Sequence, residues 1–188
     1  MTKIKRHFRV VVAYCLLLSL PAMAVFAVTP AGTQITVTST AQYTSSKGIK
    51  MPDVTSNAVL ITVGQVASVS VTPSSANKSV VGANPGVFGL SVRNTGNGSD
   101  AFKLSATAQY GSSVLIYKDD NCDGSWQSTE TTTVTSSGSL AMGEEFKCLV
   151  VAQLPSSGSI PKDTITFTAT SVFDSTKNAK STLTLETE

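Results

Sequence analysis

The sequence predicts an all-β protein, built as a two-sheet antiparallel sandwich. Three observations predict it. Beyond residue 27 no stretch keeps a helical period, short β-branched runs alternate with Ser and Thr, and Gly/Asn/Pro clusters punctuate them. In Thr164-Ile165-Thr166-Phe167-Thr168-Ala169-Thr170 the apolar residues face one way and the threonines the other, as in a strand buried on one side. Sheets apolar inside and hydroxyl-coated outside pack as two layers over one core.

The chain opens on a different signal. Lys3, Lys5, Arg6 and Arg9 precede an apolar run over residues 10–20, and Pro21-Ala22-Met23-Ala24 ends in an A-x-A site. This predicts a secretory signal peptide over residues 1–27, helical before cleavage, with a second cleavage point at Ala27. The apolar run is about half the ~20 residues a spanning helix needs, so no permanent membrane anchor is expected. The segment carries four of the fourteen Lys and Arg, and the only histidine, His7. The remaining 161 residues hold ten basic and twelve acidic side chains, a net charge of −2. That charge excludes a nucleic-acid partner by bulk electrostatics. Without histidine there is no Ser-His-Asp or Cys-His machinery and no His-ligated zinc. No spaced pair of carboxylates replaces them, since Asp119, Asp120 and Asp123 share one loop and Glu144-Glu145 lies in a turn. An enzyme is not expected.

Candidate strands fall at 34–44, 58–63, 67–72, 87–94, 101–108, 113–118, 131–135, 145–154, 164–172 and 180–186. The first two flank a Gly/Lys/Pro/Asp loop at 45–55 and are too little to bury their own apolar face. They define a two-stranded N-terminal extension, 28–66, ahead of the sandwich domain, 67–188. This extension must pack on its own sandwich or on another chain. Asn94-Thr95-Gly96-Asn97-Gly98-Ser99-Asp100 tolerates positive φ and is expected to link adjacent strands. Pro73-Ser74-Ser75-Ala76-Asn77 reads as a polar loop with a proline stop.

Several motifs keep a familiar order: Val69-Ser70-Val71-Thr72-Pro73, Asn94 to Phe102, Ile116 to Gly124, Leu140-Ala141-Met142-Gly143-Glu144 and the Thr-rich strand at 163–170. Over residues 67–188 the chain resembles the "conserved repeat" domains of unknown function in bacterial surface proteins, which are similar to immunoglobulin-like sandwiches. The resemblance implies an immunoglobulin-like fold and a cell-surface or extracellular structural role, with no activity attached. This chain departs from it in having a single copy and in adding Cys122 and Cys148.

The most distinctive stretch is Asp119-Asp120-Asn121-Cys122-Asp123-Gly124-Ser125-Trp126-Gln127-Ser128-Thr129-Glu130. It fits the calcium-loop pattern D-x-[DN]-x-[DN]-G-x5-E. Asp119, Asn121 and Asp123 would supply converging oxygens, Ser125 its carbonyl, and Glu130 both carboxylate oxygens. The flanks read as strands rather than EF-hand helices, which makes Glu130 the weakest of these ligands. A solvated acidic turn is the alternative. Cys122 and Cys148 are an even pair in an exported chain, so a disulfide is expected, worth roughly 3–4 kcal/mol for a loop of this size. Two unpaired buried thiols are the alternative.

The signal segment and the missing histidine, with the structural role that the resemblance implies, predict a non-enzymatic, exported cell-surface or extracellular structural protein. Its partners are expected to be copies of itself or other cell-surface components. Residues 28–66 could polymerise it by adding strands to a neighbour's sheet edge. The alternative is a monomeric adhesin or carbohydrate-binding module. The aromatics such a module needs, Tyr43, Tyr110, Tyr117 and Trp126, are few and scattered.

Overall fold

The structure, a computed structural model, describes residues 28–81, 84–155 and 161–188. The expected signal-peptide helix lies outside these residues. In chain order the described strands are β1 (Gln34–Val37), β2 (Thr40–Ala41), β3 (Val54–Thr55), β4 (Val59–Thr62), β5 (Val69–Pro73), β6 (Asn77–Val80) and β7 (Gly86–Asn94). They continue with β8 (Asp100–Ala108), β9 (Ser113–Lys118), β10 (Ser136–Leu140), β11 (Glu145–Gln153), β12 (Lys162–Ser171) and β13 (Asn178–Thr187). No helix occurs among the described residues, and none is long and apolar enough to cross a membrane.

Two sheets form an immunoglobulin-like sandwich. One has the order β5-β7-β11-β9 and the other β10-β8-β12-β13-β6. The period-2 pattern decides which side chains meet between them. Phe88, Leu90 and Val92 on β7, together with Cys148, Val150 and Ala152 on β11, face Phe102 and Leu104 on β8. Ile165, Phe167 and Ala169 on β12, with Leu183 and Leu185 on β13, complete the core. Phe88, Phe102 and Phe167 are fully buried; truncating any one of them to alanine costs about 3–5 kcal/mol. Along β12 the burial alternates at every residue, as the Thr/apolar alternation requires.

Three connections differ from the sequence-based expectation. The loop at 94–100 joins β7 to β8, which lie in different sheets, so it crosses the end of the sandwich instead of closing a hairpin. Asn94 holds the crossing. Its side-chain amide donates to the carbonyls of Gly98 and Leu140, both at 2.9 Å, and its Oδ1 accepts from Gly96 N at 2.9 Å. Pro73 stops β5 only in its own sheet. The chain then crosses to β6, which pairs with β13 in parallel, the one parallel ladder in an otherwise antiparallel pairing of the described strands. Last, the strand expected at 131–135 is displaced to β10, which pairs with β8. Residues 131–135 instead climb from one sheet to the other. Lys118 N donates to Thr132 O, Val134 N to Ile116 O, and Leu104 N to Thr135 O.

Residues 28–66 pair with themselves. β1 and β4 form an antiparallel ribbon, with Ile35 opposite Ile61 and Val37 opposite Val59, and β2 and β3 prolong it. All four strands are exposed. The arm's root is seated on the 94–100 crossing by Asn97, whose Oδ1 accepts from Val66 N at 2.7 Å. Its amide donates to Gly64 O at 3.0 Å and Thr29 O at 3.2 Å. Ala31 N adds a bond to Asn97 O, and Gln65 Nε2 one to Ser99 O. The ordering cost of the arm is thus met at its root by the amide hydrogen bonds of the buried Asn97 and along its length by its own ladder.

Candidate functional site: the acidic loop and the arm

The acidic loop leaves β9 and folds back over the outer face of the four-stranded sheet. Gly89 makes that approach possible. A Cβ at Gly89 would lie 2.8 Å from Gly124 Cα and 3.2 Å from Gly124 O, so only glycine leaves room for the loop. Opposite Gly89 on β11, Leu149 points to the same outer face and is fully buried. The loop's turn is tight, with Gly124 at φ 74° and Cys122 at φ 61°. Cys122 is the one non-glycine described residue in the left-handed region, where an L side chain costs about 1 kcal/mol or more. Trp126 lies over Tyr117 with ring centroids 6.0 Å apart, and its Nε1 donates to Glu130 O at 3.1 Å.

The loop closes on its own backbone. Asp119 is 4% exposed, and its Oδ2 accepts from Gly124 N at 3.0 Å. Asn121 Oδ1 accepts from Asp123 N at 3.1 Å. Asp123 Oδ1 accepts from Ser125 N at 2.7 Å, and its Oδ2 from Asn121 Nδ2 and Gln127 Nε2. Ser125 therefore enters the network through its amide. Glu130 is 2% exposed, and its two oxygens accept from Asp120 N at 3.1 Å and Gln127 N at 2.9 Å. It staples the two ends of the loop together. At the rim, Lys118 pairs with Asp120 at 2.6 Å, and this bond raises the lysine pKa above its ordinary value.

Among the described residues no group of three or more His, Cys, Asp or Glu side chains is placed to hold a metal ion. Both Glu130 oxygens are turned to backbone amides, which the expected bidentate role would displace. Two oxygens in the loop are nonetheless buried without a donor, Asp119 Oδ1 and Gln127 Oε1. Gln127 stands at the ninth position of the calcium pattern, where a ligand acts directly or through water. The calcium pattern leaves that position unspecified, so the residue type alone does not single it out.

The expected Cys122–Cys148 disulfide is not made; both thiols are free. The reason is the sheet itself. Cys148 belongs to the inner face of β11 with Val150 and Ala152, while Cys122 rides on a loop laid over the outer face. A bridge would have to pass through the hydrogen-bonded sheet. Burial pushes the Cys148 thiol up to about 12, with the charge of Asp119 adding to the shift. It packs as a small apolar residue. Cys122 is exposed, and its Sγ lies 3.8 Å from Asp119 O.

The arm is the second candidate. Directly opposed residues of a ribbon project to one face, so Ile35, Val37, Val59 and Ile61 form a continuous apolar strip. Each is about half exposed. Tyr43, Ile49 and Val54 extend the exposed apolar surface toward the tip. No charged residue occurs between 28 and 46 or between 54 and 77.

No family model matches the chain, and no curated protein sequence does. Among solved structures, it is similar to domains 4 and 5 of the S-layer protein SbsC, at 12% identity and a TM-score of 0.36. That likeness covers 80% of this chain and 66% of the other. It is also similar to PapD-like domain 7 of human CEP192, at 14% identity and a TM-score of 0.34, over 63% of this chain and 83% of that one. At these scores neither likeness bears on function.

Proposed function

We propose that the chain is a non-enzymatic, exported cell-surface or extracellular structural subunit that associates with further copies of itself through residues 28–66. One observation carries the reading: an entire amphipathic β-ribbon stands clear of its own sandwich with its apolar strip uncovered. Monomeric soluble domains rarely leave a contiguous apolar surface of this kind free, because burying it releases roughly 25 cal/mol per Å². The basic, apolar and A-x-A pattern of residues 1–24 supports export. The absence of histidine from residues 28–188 supports a role without catalysis. The test is light scattering and negative-stain microscopy of residues 28–188 at rising concentration. Mass that grows with concentration into linear assemblies supports the reading, and a strict monomer at high concentration ends it.

A calcium ion in the acidic loop is a second part of the proposal. It is favoured by the two buried oxygens without donors, Asp119 Oδ1 and Gln127 Oε1. Binding requires the Glu130 staple to rearrange or to remain outside the coordination shell. Calcium should raise the melting temperature of the wild-type chain and leave Asp119→Asn unmoved. A melting curve indifferent to calcium and to chelator removes the ion from the proposal.

A further inference from the structure

The sandwich is left unfinished along one flank. Residues 131–135 close the gap between β9 and β8 only at one end, through the bonds at Ile116, Lys118 and Leu104 described above. β8 from Leu104 to Ala106, β9 from Val114 to Ile116 and residues 133–135 border an open groove of ≈ 370 Å³, and past it β8 from Ser105 to Ala108 has no strand paired on this edge among the described residues. Its apolar lining is Leu104, Ala106, Val114, Leu115, Ile116 and Val134. Hydrogen bonding alternates along a strand. Leu104 N bonds to Thr135 across the gap, while Gln109 N bonds to Thr164 of β12. By that period Ala106 and Ala108 turn their amides and carbonyls toward the groove. Of the two, Ala106 lines the groove, and its small side chain fills little of it.

We propose that this groove is the acceptor for the arm of a second copy, an inference that rests on the self-association read from residues 28–66. Two features of the chain select that occupant. β1 and β4 are four residues long, the span of the open stretch of β8. Every residue lining the groove is uncharged, and so are β1 and β4, so docking desolvates no charge. The strip Ile35-Val37-Val59-Ile61 covers the apolar lining, and an arm edge pairs with the open main chain at Ala106 and Ala108. Donor and acceptor are different surfaces of one chain. The contact is therefore head-to-tail and grows into chains wherever two copies do not exchange arms reciprocally.

The test uses residues 28–188 carrying either an arm substitution pair, I35K with I61K, or a groove substitution, A106K. L115K replaces A106K if that variant does not fold by circular dichroism; Leu115 is 53% exposed and tolerates the change. The expected result is that the wild type forms chains while each variant alone scatters as a monomer. An equimolar mixture should then double in mass and stop there, because one variant keeps the groove and the other keeps the arm. If the groove variants assemble like the wild type while the arm variant does not, the arms pair with each other. That overturns the acceptor assignment and leaves the self-association reading standing. A monomeric wild type overturns both.

Discussion

Replacing Gly89 with alanine tests whether the acidic loop is seated on the sheet as described. The new Cβ would meet Gly124 Cα at 2.8 Å, Ser74 Oγ at 3.1 Å and Gly124 O at 3.2 Å. Carbon–carbon contacts are comfortable at about 3.5–4.0 Å, so the loop must rise by ~0.7–1 Å. The obstacle is backbone on a tight turn, which cannot swing aside as a side chain would. Overpacking of this kind costs about 1–3 kcal/mol. Alanine returns ~0.4–1 kcal/mol by restricting the unfolded chain. The net loss is about 1–2 kcal/mol, which lowers the melting temperature by ~2–8 °C in a domain of this size. Calorimetry gives the shift, and Trp126 fluorescence reports the loop directly, since this is the only tryptophan and it rests on Tyr117. Gly64→Ala is the control: nothing lies within 4 Å of a Cβ there, and its melting should stay within ~0.5 kcal/mol of wild type. A Gly89→Ala protein as stable as wild type, with unchanged tryptophan emission, would refute the packing of the loop on the outer face.

Three further outcomes are expected. Asp163 is fully buried and accepts from the amides of Gln109, Tyr110, Ser112 and Thr164. Burial pushes its pKa up, but the Ser112, Tyr110 and Thr164 donors outweigh it and hold the carboxyl below its ordinary value. Its stabilising contribution is therefore complete above the unfolded carboxylate pKa of ~3.9 and is lost as pH falls through the lower folded value. Asp163→Asn should cost about 2–4 kcal/mol at neutral pH and flatten the acid limb of the stability curve; an acid limb identical to wild type counts against the assignment. Asn97→Ala removes the amide that seats the arm. Limited proteolysis should then cut within residues 28–66 at least several-fold faster while calorimetry of the sandwich moves by less than ~2 kcal/mol, and equal cleavage rates would show that the root is held otherwise. Alkylation of the native chain should label Cys122 and spare Cys148, whose thiol is buried and raised to about 12. A non-reducing mass spectrum with the two joined would contradict the placement of the loop.

The long strands were legible because each carries its own evidence. β12 alternates apolar and polar residues along its length and Phe102 to Ala106 of β8 does so in part, a period of two that needs no partner to be seen, while β11 shows as an apolar run, Cys148 to Ala152. β6 and β10 were not legible. Asn77-Lys78-Ser79-Val80 and Ser136-Ser137-Gly138-Ser139-Leu140 have little apolar pattern and become strands because an open edge of the opposite sheet accepts their backbone. In the acidic loop the residue types were visible, but their roles changed on folding. Glu130 became a backbone staple, Ser125 an amide donor, and Gln127 a buried oxygen in its own right.

The amino-acid order alone suffices for the all-β class and for the one-sided burial of β12. Each follows from spacing along a few consecutive residues. That the acidic loop covers the outer face of the sheet, that Cys122 and Cys148 lie on opposite sides of it, and that a groove stays open between β8 and β9 is visible only in the folded chain. Those outcomes depend on which strand joins which sheet, and on a single glycine at position 89 lying beneath another at 124. Periodicity is local and survives in one dimension, whereas the pairing of distant edges and the side on which a loop comes to rest exist only once the two sheets have closed.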